Sequence, residues 1–160
     1  VIKGERDVAG RRRALLAISA TLVAGGCGAP PLEEMVPVLS EPRADADQLP
    51  TLEGATRIEG VDADSTRYLG KTGTAEYWVG LDGEEICLVQ ALVGAEAVGV
   101  SCADAETFAE VGVPLSTSAS GVSATGLLLP EGFDLADAVA GEGWVSVTGN
   151  LAAPSDEVSW

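Results

Sequence analysis

Tyr77-Trp78-Val79-Gly80-Leu81-Asp82-Gly83-Glu84-Glu85-Ile86-Cys87-Leu88-Val89-Gln90 is the stretch that decides the fold. Aromatic and β-branched residues stand on both sides of Asp82-Gly83, a dipeptide that turns a chain tightly because glycine accepts positive φ. The stretch reads as a β-hairpin, with Tyr77 to Leu81 as one strand and Glu85 to Gln90 as the other. Arg67-Tyr68-Leu69 precedes it as a further strand and Ala97 to Cys102 follows it. Pairing the last of these beside Glu85 to Gln90 would bring Cys87 and Cys102 within bridging distance.

Outward from the hairpin the pattern stays β-rich. Asp104 to Val111 reads as the one short helix, with Ser101 or Asp104 as its cap, Glu106 favourable near its start and Gly112 ending it. Phe108 and Val111 are expected on its inner face. Val113 to Leu115, Val122 to Leu129 and Trp144 to Thr148 complete the strands, with Pro130-Glu131-Gly132 as a turn. The fold class expected is mainly β (α+β), a small antiparallel sheet with one short helix packed on it, spanning residues 53–153. The tail, residues 154–160, is expected to fray. Hydrophobic residues make up 46% of the chain but aromatics only 4%, so the core must be built from Val, Leu, Ile and Ala around a few large pieces: Tyr68, Tyr77, Trp78, Phe108, Phe133 and Trp144. Such a core leaves little to line a deep pocket.

The first half of the chain differs in kind. Residues 1–26 hold five of the nine basic side chains and two of the 25 acidic ones, so from Cys27 onward the balance is 4 minus 23, or −19. A basic stretch ending in Arg11-Arg12-Arg13 leads into an apolar run from Ala14 to Ala24, then Gly25, Gly26 and Cys27. That run of 11 residues is too short for a bilayer span, which needs about 20, and it ends in small residues as a signal peptide does. Residues 1–26 are therefore expected to be removed. Five of the eight prolines fall between positions 30 and 50 among Glu33, Glu34, Glu41, Asp45 and Asp47, so residues 27–52 are expected to form a flexible, disordered tether.

Leu22-Val23-Ala24-Gly25-Gly26-Cys27 resembles the lipobox of bacterial lipoproteins. The resemblance implies a diacylglycerol thioether on Cys27, palmitate-type acyl chains, and anchoring at the outer face of the cell membrane. The family usually has Leu or Val where this chain has Ala24. Arg12 and Arg13, followed by Ala14-Leu15-Leu16, also resemble a twin-arginine export signal, although general secretory signals carry similar runs. Taken whole, the chain is similar to the small acidic envelope lipoproteins of high-GC Gram-positive bacteria. With Cys27 assigned to lipid, the three cysteines resolve to one pair, Cys87 and Cys102, in a compartment where disulfides persist. The alternative is two buried thiols.

For catalysis the sequence offers little. Lys71-Thr72-Gly73-Thr74-Ala75 is similar to the Lys-Thr-Gly box of penicillin-binding proteins and serine β-lactamases. Their chemistry needs a serine three residues before a lysine, but Tyr68 holds that place before Lys71, so the string reads as a glycine-containing turn. The chain has no histidine, which removes the commonest general base and most catalytic zinc ligand sets. Asp62-Ala63-Asp64-Ser65 and Asp45-Ala46-Asp47 resemble the start of calcium loops, but Gly73 and Thr56 stand where an EF-hand has its last glutamate. They read as acidic turn and linker residues. No cofactor, catalytic residue or metal ligand is assigned.

Such an acidic domain is repelled by phosphate backbones, so no nucleic-acid partner is expected. The leading expectation is a non-enzymatic envelope module that is held to the membrane by its lipid and binds an envelope protein, peptide or cell-wall component. A small carboxylate-dependent hydrolase acting on cell-wall material is the alternative, and a weak divalent-cation-binding surface protein is a third. A flat apolar patch around Tyr77, Trp78 or Trp144 would mark a partner surface, whereas a concave site with two close carboxylates would mark the enzyme.

Overall fold

The computed structural model describes residues 29–50, 58, 60–134 and 143–158. Within them the protein is mainly β: two antiparallel four-stranded sheets and two helices, of which only one reaches seven residues. The first sheet has the order β1-β2-β3-β4, formed by Arg67–Lys71, Ala75–Asp82, Glu85–Leu92 and Val98–Ala103. Helix α2 (Ala105–Val111) leads to the second sheet, in which β5 (Val113–Ala119), β6 (Val122–Leu128), β7 (Trp144–Ser146) and β8 (Leu151–Pro154) take the order β5-β6-β8-β7.

The sheets face each other across one core. Tyr77, Val79, Ile86, Leu88 and Leu92 come from the first; Val113, Ala124, Leu128 and Leu151 come from the second, with Phe108 of α2 closing one end. Alternation along β2 and β3 makes this possible, since successive side chains point to opposite faces. Tyr77 and Gln90 are paired on the inner face, and Trp78 and Val89 on the outer. The inner packing is close: a Cβ at Gly126 of β6 would lie 2.5 Å from Tyr77 Cε1. The sheets also approach at both margins, where a Cβ at Gly99 (β4) would collide with Thr117 Oγ1 (β5) and one at Gly70 (β1) would lie 3.4 Å from Thr148 Cγ2.

The hairpin forms where the sequence places it, but its turn is shifted by one residue. Asp82 pairs with Glu85, so the two loop residues are Gly83 and Glu84. Gly83 alone takes positive φ, 61°, the pattern of a turn with glycine at its first central position. A second tight hairpin joins β5 to β6 through Ser120 and Gly121, with φ of 53° and 81°; Ser120 is the single non-glycine residue with positive φ among the described residues. In α2, the Asp104 carboxylate accepts the Thr107 N–H at 2.8 Å and Gly112 ends the helix, as the sequence implies. Those backbone and hydroxyl bonds from Thr107 hold the Asp104 carboxyl below its ordinary range. Phe108 is fully buried but Val111 is 58% exposed, so the helix buries a narrower face than expected.

The tether expected over residues 27–52 requires correction where it is described. Helix α1 (Leu32–Met35) and two 3-10 segments, Pro37–Ser40 and Asp45–Asp47, pack onto the sheets. Met35 and Val36 are buried in the main core, and the Met35 carbonyl accepts hydrogen bonds from Glu131 N (2.7 Å) and Asn150 Nδ2 (3.0 Å). Further along, Asp47 accepts the Tyr68 N–H at the edge of β1 (2.7 Å), Arg67 forks onto the Glu41 carbonyl, and Trp78 Nε1 donates to the Ala46 carbonyl (3.0 Å). Composition misled here because proline and acid content measures what a segment cannot bury alone, whereas apolar residues at the right places, Met35 and Val36 buried with Leu32, Val38 and Leu39 beside them, dock it on the sheets. Cys27, Gly28, Thr51 and Leu52 lie outside the described residues.

The expected fraying tail is also ordered through Val158. Leu151–Pro154 is a strand that the sequence reading did not identify, lying between β6 and β7. Beyond it the Glu157 carboxylate accepts bonds from Thr74 Oγ1 and Thr125 N, both at 3.1 Å, while its carbonyl accepts the Gly73 N–H at 2.8 Å.

Candidate functional site

Of the residues that the sequence singles out, the structure brings two together. Cys87 and Cys102 are directly opposite in β3 and β4, with Cα atoms 4.0 Å apart, and are joined by a disulfide. Cross-strand partners sit close enough for this without moving the backbone. Cys87 is fully buried, on the outer face of the first sheet with Trp78 and Val89. Cys27, Arg12 and Arg13 lie outside the described residues.

The Lys71-Thr72-Gly73-Thr74 string is the turn between β1 and β2, as expected. Thr72 is buried with its hydroxyl accepting the Ala75 N–H at 3.1 Å, so it holds the turn closed. The two acidic strings are also structural. Asp62 Oδ1 accepts the Asp64 N–H, Asp64 pairs with Arg43 at 3.1 Å, and Asp47 is buried on backbone amides of Ala44 and Tyr68. Among the described residues, no group of three or more His, Cys, Asp or Glu side chains converges to hold a metal ion.

The interior carries one polar network that the sequence does not announce. Tyr77 donates its hydroxyl to the Thr125 carbonyl and accepts from Gln90 Nε2, both at 3.2 Å, so β2, β3 and β6 are tied across the core. Burial pushes the Tyr77 hydroxyl up from its ordinary value, and hydrogen bonds from Gln90 and Thr72 offset part of that rise. A phenol held neutral in this way registers strands and supplies no base. Tyr77 and Trp78 are both buried, so neither contributes to a flat apolar surface, and Trp144 packs partly buried against Leu127, Leu129 and Ala152.

Two shallow clefts remain on the surface where the N-terminal segment meets the sheets. One, of about 250 Å³, runs between Pro37, Val38 and Glu41 on one side and Tyr68, Glu131 and Asn150 on the other. The second, of about 310 Å³, separates α1 from α2, with Glu34 and Ala109 on facing sides and Glu131 shared with the first. Glu34, Glu41 and Glu131 are all solvent-exposed. The clefts offer apolar walls and negative charge. The chain matches no protein-family model, no curated protein and no solved structure.

Proposed function

We propose that the protein is exported, cleaved before Cys27, and anchored by lipid on that residue at the outer face of the cell membrane. There its β domain acts by binding an envelope protein, peptide or cell-wall component. The observation that carries this reading is the division of the cysteines. Of three in the chain, two pair with each other across β3 and β4, which leaves Cys27, at the end of the basic and apolar run, for a different chemistry. A disulfide fits an oxidising compartment, where such bonds persist. Binding is favoured over catalysis because the ionisable side chains that the fold draws inward are engaged in structure: Asp47 caps the edge of β1, Tyr77 bridges strands and Glu157 ties the tail to the β1–β2 turn.

Membrane fractionation of cells expressing wild type and Cys27→Ala tests the anchor. Wild type should sediment with membranes and the variant should be released; equal membrane retention contradicts the reading. The cleft shared by Glu41 and Glu131 keeps a second reading in play, a small hydrolase of cell-wall material. Release of soluble fragments from purified cell wall, abolished by Glu131→Gln, would establish that activity in place of binding.

A further inference from the structure

A sheet that does not close leaves edge strands, whose outward N–H and C=O groups invite pairing unless something blunts them. Four strands here are edges: β1 and β4 of the first sheet, β5 and β7 of the second. Three of them are blunted. At β1 the Asp47 carboxylate takes the Tyr68 N–H, the register shifts between Tyr68 and Gly70, and Lys71 ends the strand. Strand β5 carries Pro114, which has no N–H to offer, and β7 is three residues long. Strand β4 has none of these devices: its six residues, Val98–Ala103, hold no charge and no proline, and they pair with β3 without a shift.

One bond sets the geometry of that edge. Leu92 donates to the Ala97 carbonyl, and the register from there to Ile86 opposite Ala103 is unbroken. Gly99, Ser101 and Ala103 therefore exchange bonds with β3, whereas Val98, Val100 and Cys102 turn their N–H and C=O groups to the open side. Among the described residues no hydrogen bond takes up those three N–H groups. All six residues of β4 are partly exposed, while β3 beside it is buried from Ile86 to Leu92. The Cys87–Cys102 disulfide fixes β4 to β3 on its other side, so the open edge is preorganised and a strand that pairs with it has little left to order.

Charge decides what pairs there. A second copy would use all three outward residues by setting Val100 opposite its own counterpart and Val98 opposite Cys102. In that antiparallel register Glu96 falls opposite Asp104 at both ends, since Glu96 and Asp104, like Val98 and Cys102, stand equally far from Val100 in sequence. Both carboxylates are exposed, and like charges directly opposite destabilise a strand pair. A foreign strand with lysine or arginine at those two places meets opposite charge instead, on a domain whose balance from Cys27 is −19. Resting on the proposed role as a binding module, we infer that the open edge of β4 is its binding site. The occupant is an extended segment of a partner protein, apolar where it faces Val98, Val100 and Cys102 and basic at both ends.

The probe is a synthetic peptide, acetyl-Lys-Ser-Val-Thr-Val-Thr-Val-Ser-Lys-amide, whose lysines match the spacing of Glu96 and Asp104. It is added to the full chain, isotope-labelled and held in detergent micelles, and amide hydrogen exchange is followed by NMR. In the free protein Gly99, Ser101 and Ala103 should exchange slowly and Val98, Val100 and Cys102 fast. At about nine-tenths occupancy the last three should slow about tenfold, because exchange then proceeds only from the free tenth. A peptide with Glu in place of both Lys should bind at least about fourfold more weakly at low salt, and Glu96→Lys, which leaves the strand untouched, should narrow that gap. Val100→Pro removes one outward N–H and no bond to β3, and should abolish the slowing. Unchanged exchange at Val98, Val100 and Cys102 with peptide in excess, or equal affinity for the two peptides, overturns the inference. So does slowing of these amides when the protein alone is concentrated, which marks a second copy as the occupant. Slowing confined to other amides overturns the site but keeps the binding module, whereas wall hydrolysis abolished by Glu131→Gln, with no slowing here, overturns the module itself.

Discussion

Removing residues 29–51 measures how much of the domain the proline-rich segment supplies. Met35 is 6% exposed and Val36 fully buried, and each such side chain stabilises by about 1.5–3 kcal/mol, so the pair contributes about 3–6 kcal/mol. Leu32, Val38 and Leu39 pack against the same core and Leu49 against the outer cluster around Trp78. The hydrogen bonds that are lost add less, because water reaches Trp78 Nε1 and the Tyr68 N–H once the segment is gone. Against the roughly 5–15 kcal/mol of a whole domain, the loss leaves marginal stability at best. A chain beginning at Leu52 should therefore melt at least about 12 °C below one beginning at Ala29, or fail to fold. Circular dichroism during thermal and urea unfolding reads the difference. Val36→Ala in the longer chain guards against a simple failure to express, with an expected loss of about 1.5–3 kcal/mol at an unchanged urea slope. Equal midpoints for the two chains would refute the docking of this segment and restore a free tether.

Other substitutions test separate contacts. The Cys87→Ala, Cys102→Ala double variant should keep its far-ultraviolet spectrum but lose about 3 kcal/mol in urea unfolding, the chain-entropy value for a loop of this length. Gly126→Ala should cost about 1–3 kcal/mol, because the added methyl meets the Tyr77 ring; an unchanged midpoint would mean that the sheets are not packed this closely. Ser120→Asn should raise the midpoint slightly, by about 0.5–1 kcal/mol, since asparagine tolerates the left-handed conformation better than serine. The Asp104 pKa is lowered on folding, so its cap contributes fully above the ordinary value of 3.8 and is lost as pH falls through the lowered folded value. Asp104→Ala should flatten stability against pH in that acid window, as thermal melts across it will show.

Much of the fold was legible because its signals are local. Gly83 at a hairpin turn, Asp104 and Gly112 at the ends of a helix, and the short apolar run of Ile86, Cys87, Leu88 and Val89 in β3 each specify backbone geometry within a few residues. What escaped the sequence depends on distant partners. Leu151–Pro154 is a strand only because β6 and β7 flank it, and a proline at its end argues locally against one. Asp47, Asn150 and Glu157 look like ordinary surface polar residues until β1, Met35 and Thr125 are placed beside them. Val111 follows the helical period but meets solvent, because the short helix turns Phe108, with Ala105 and Ala109 beside it, to the core. The disulfide was legible for a mixed reason: the hairpin places Cys87, and the next strand-like segment ends at Cys102.

The central claim concerns Cys27, and intact-mass analysis of the protein purified from the membranes of cells that make it tests that claim most directly. The account predicts a mature chain that begins at Cys27 and carries the added mass of two or three acyl chains, since one chain alone holds a protein only marginally. A chain still bearing the residues before Cys27, or one beginning at Cys27 with an unmodified thiol, would contradict it.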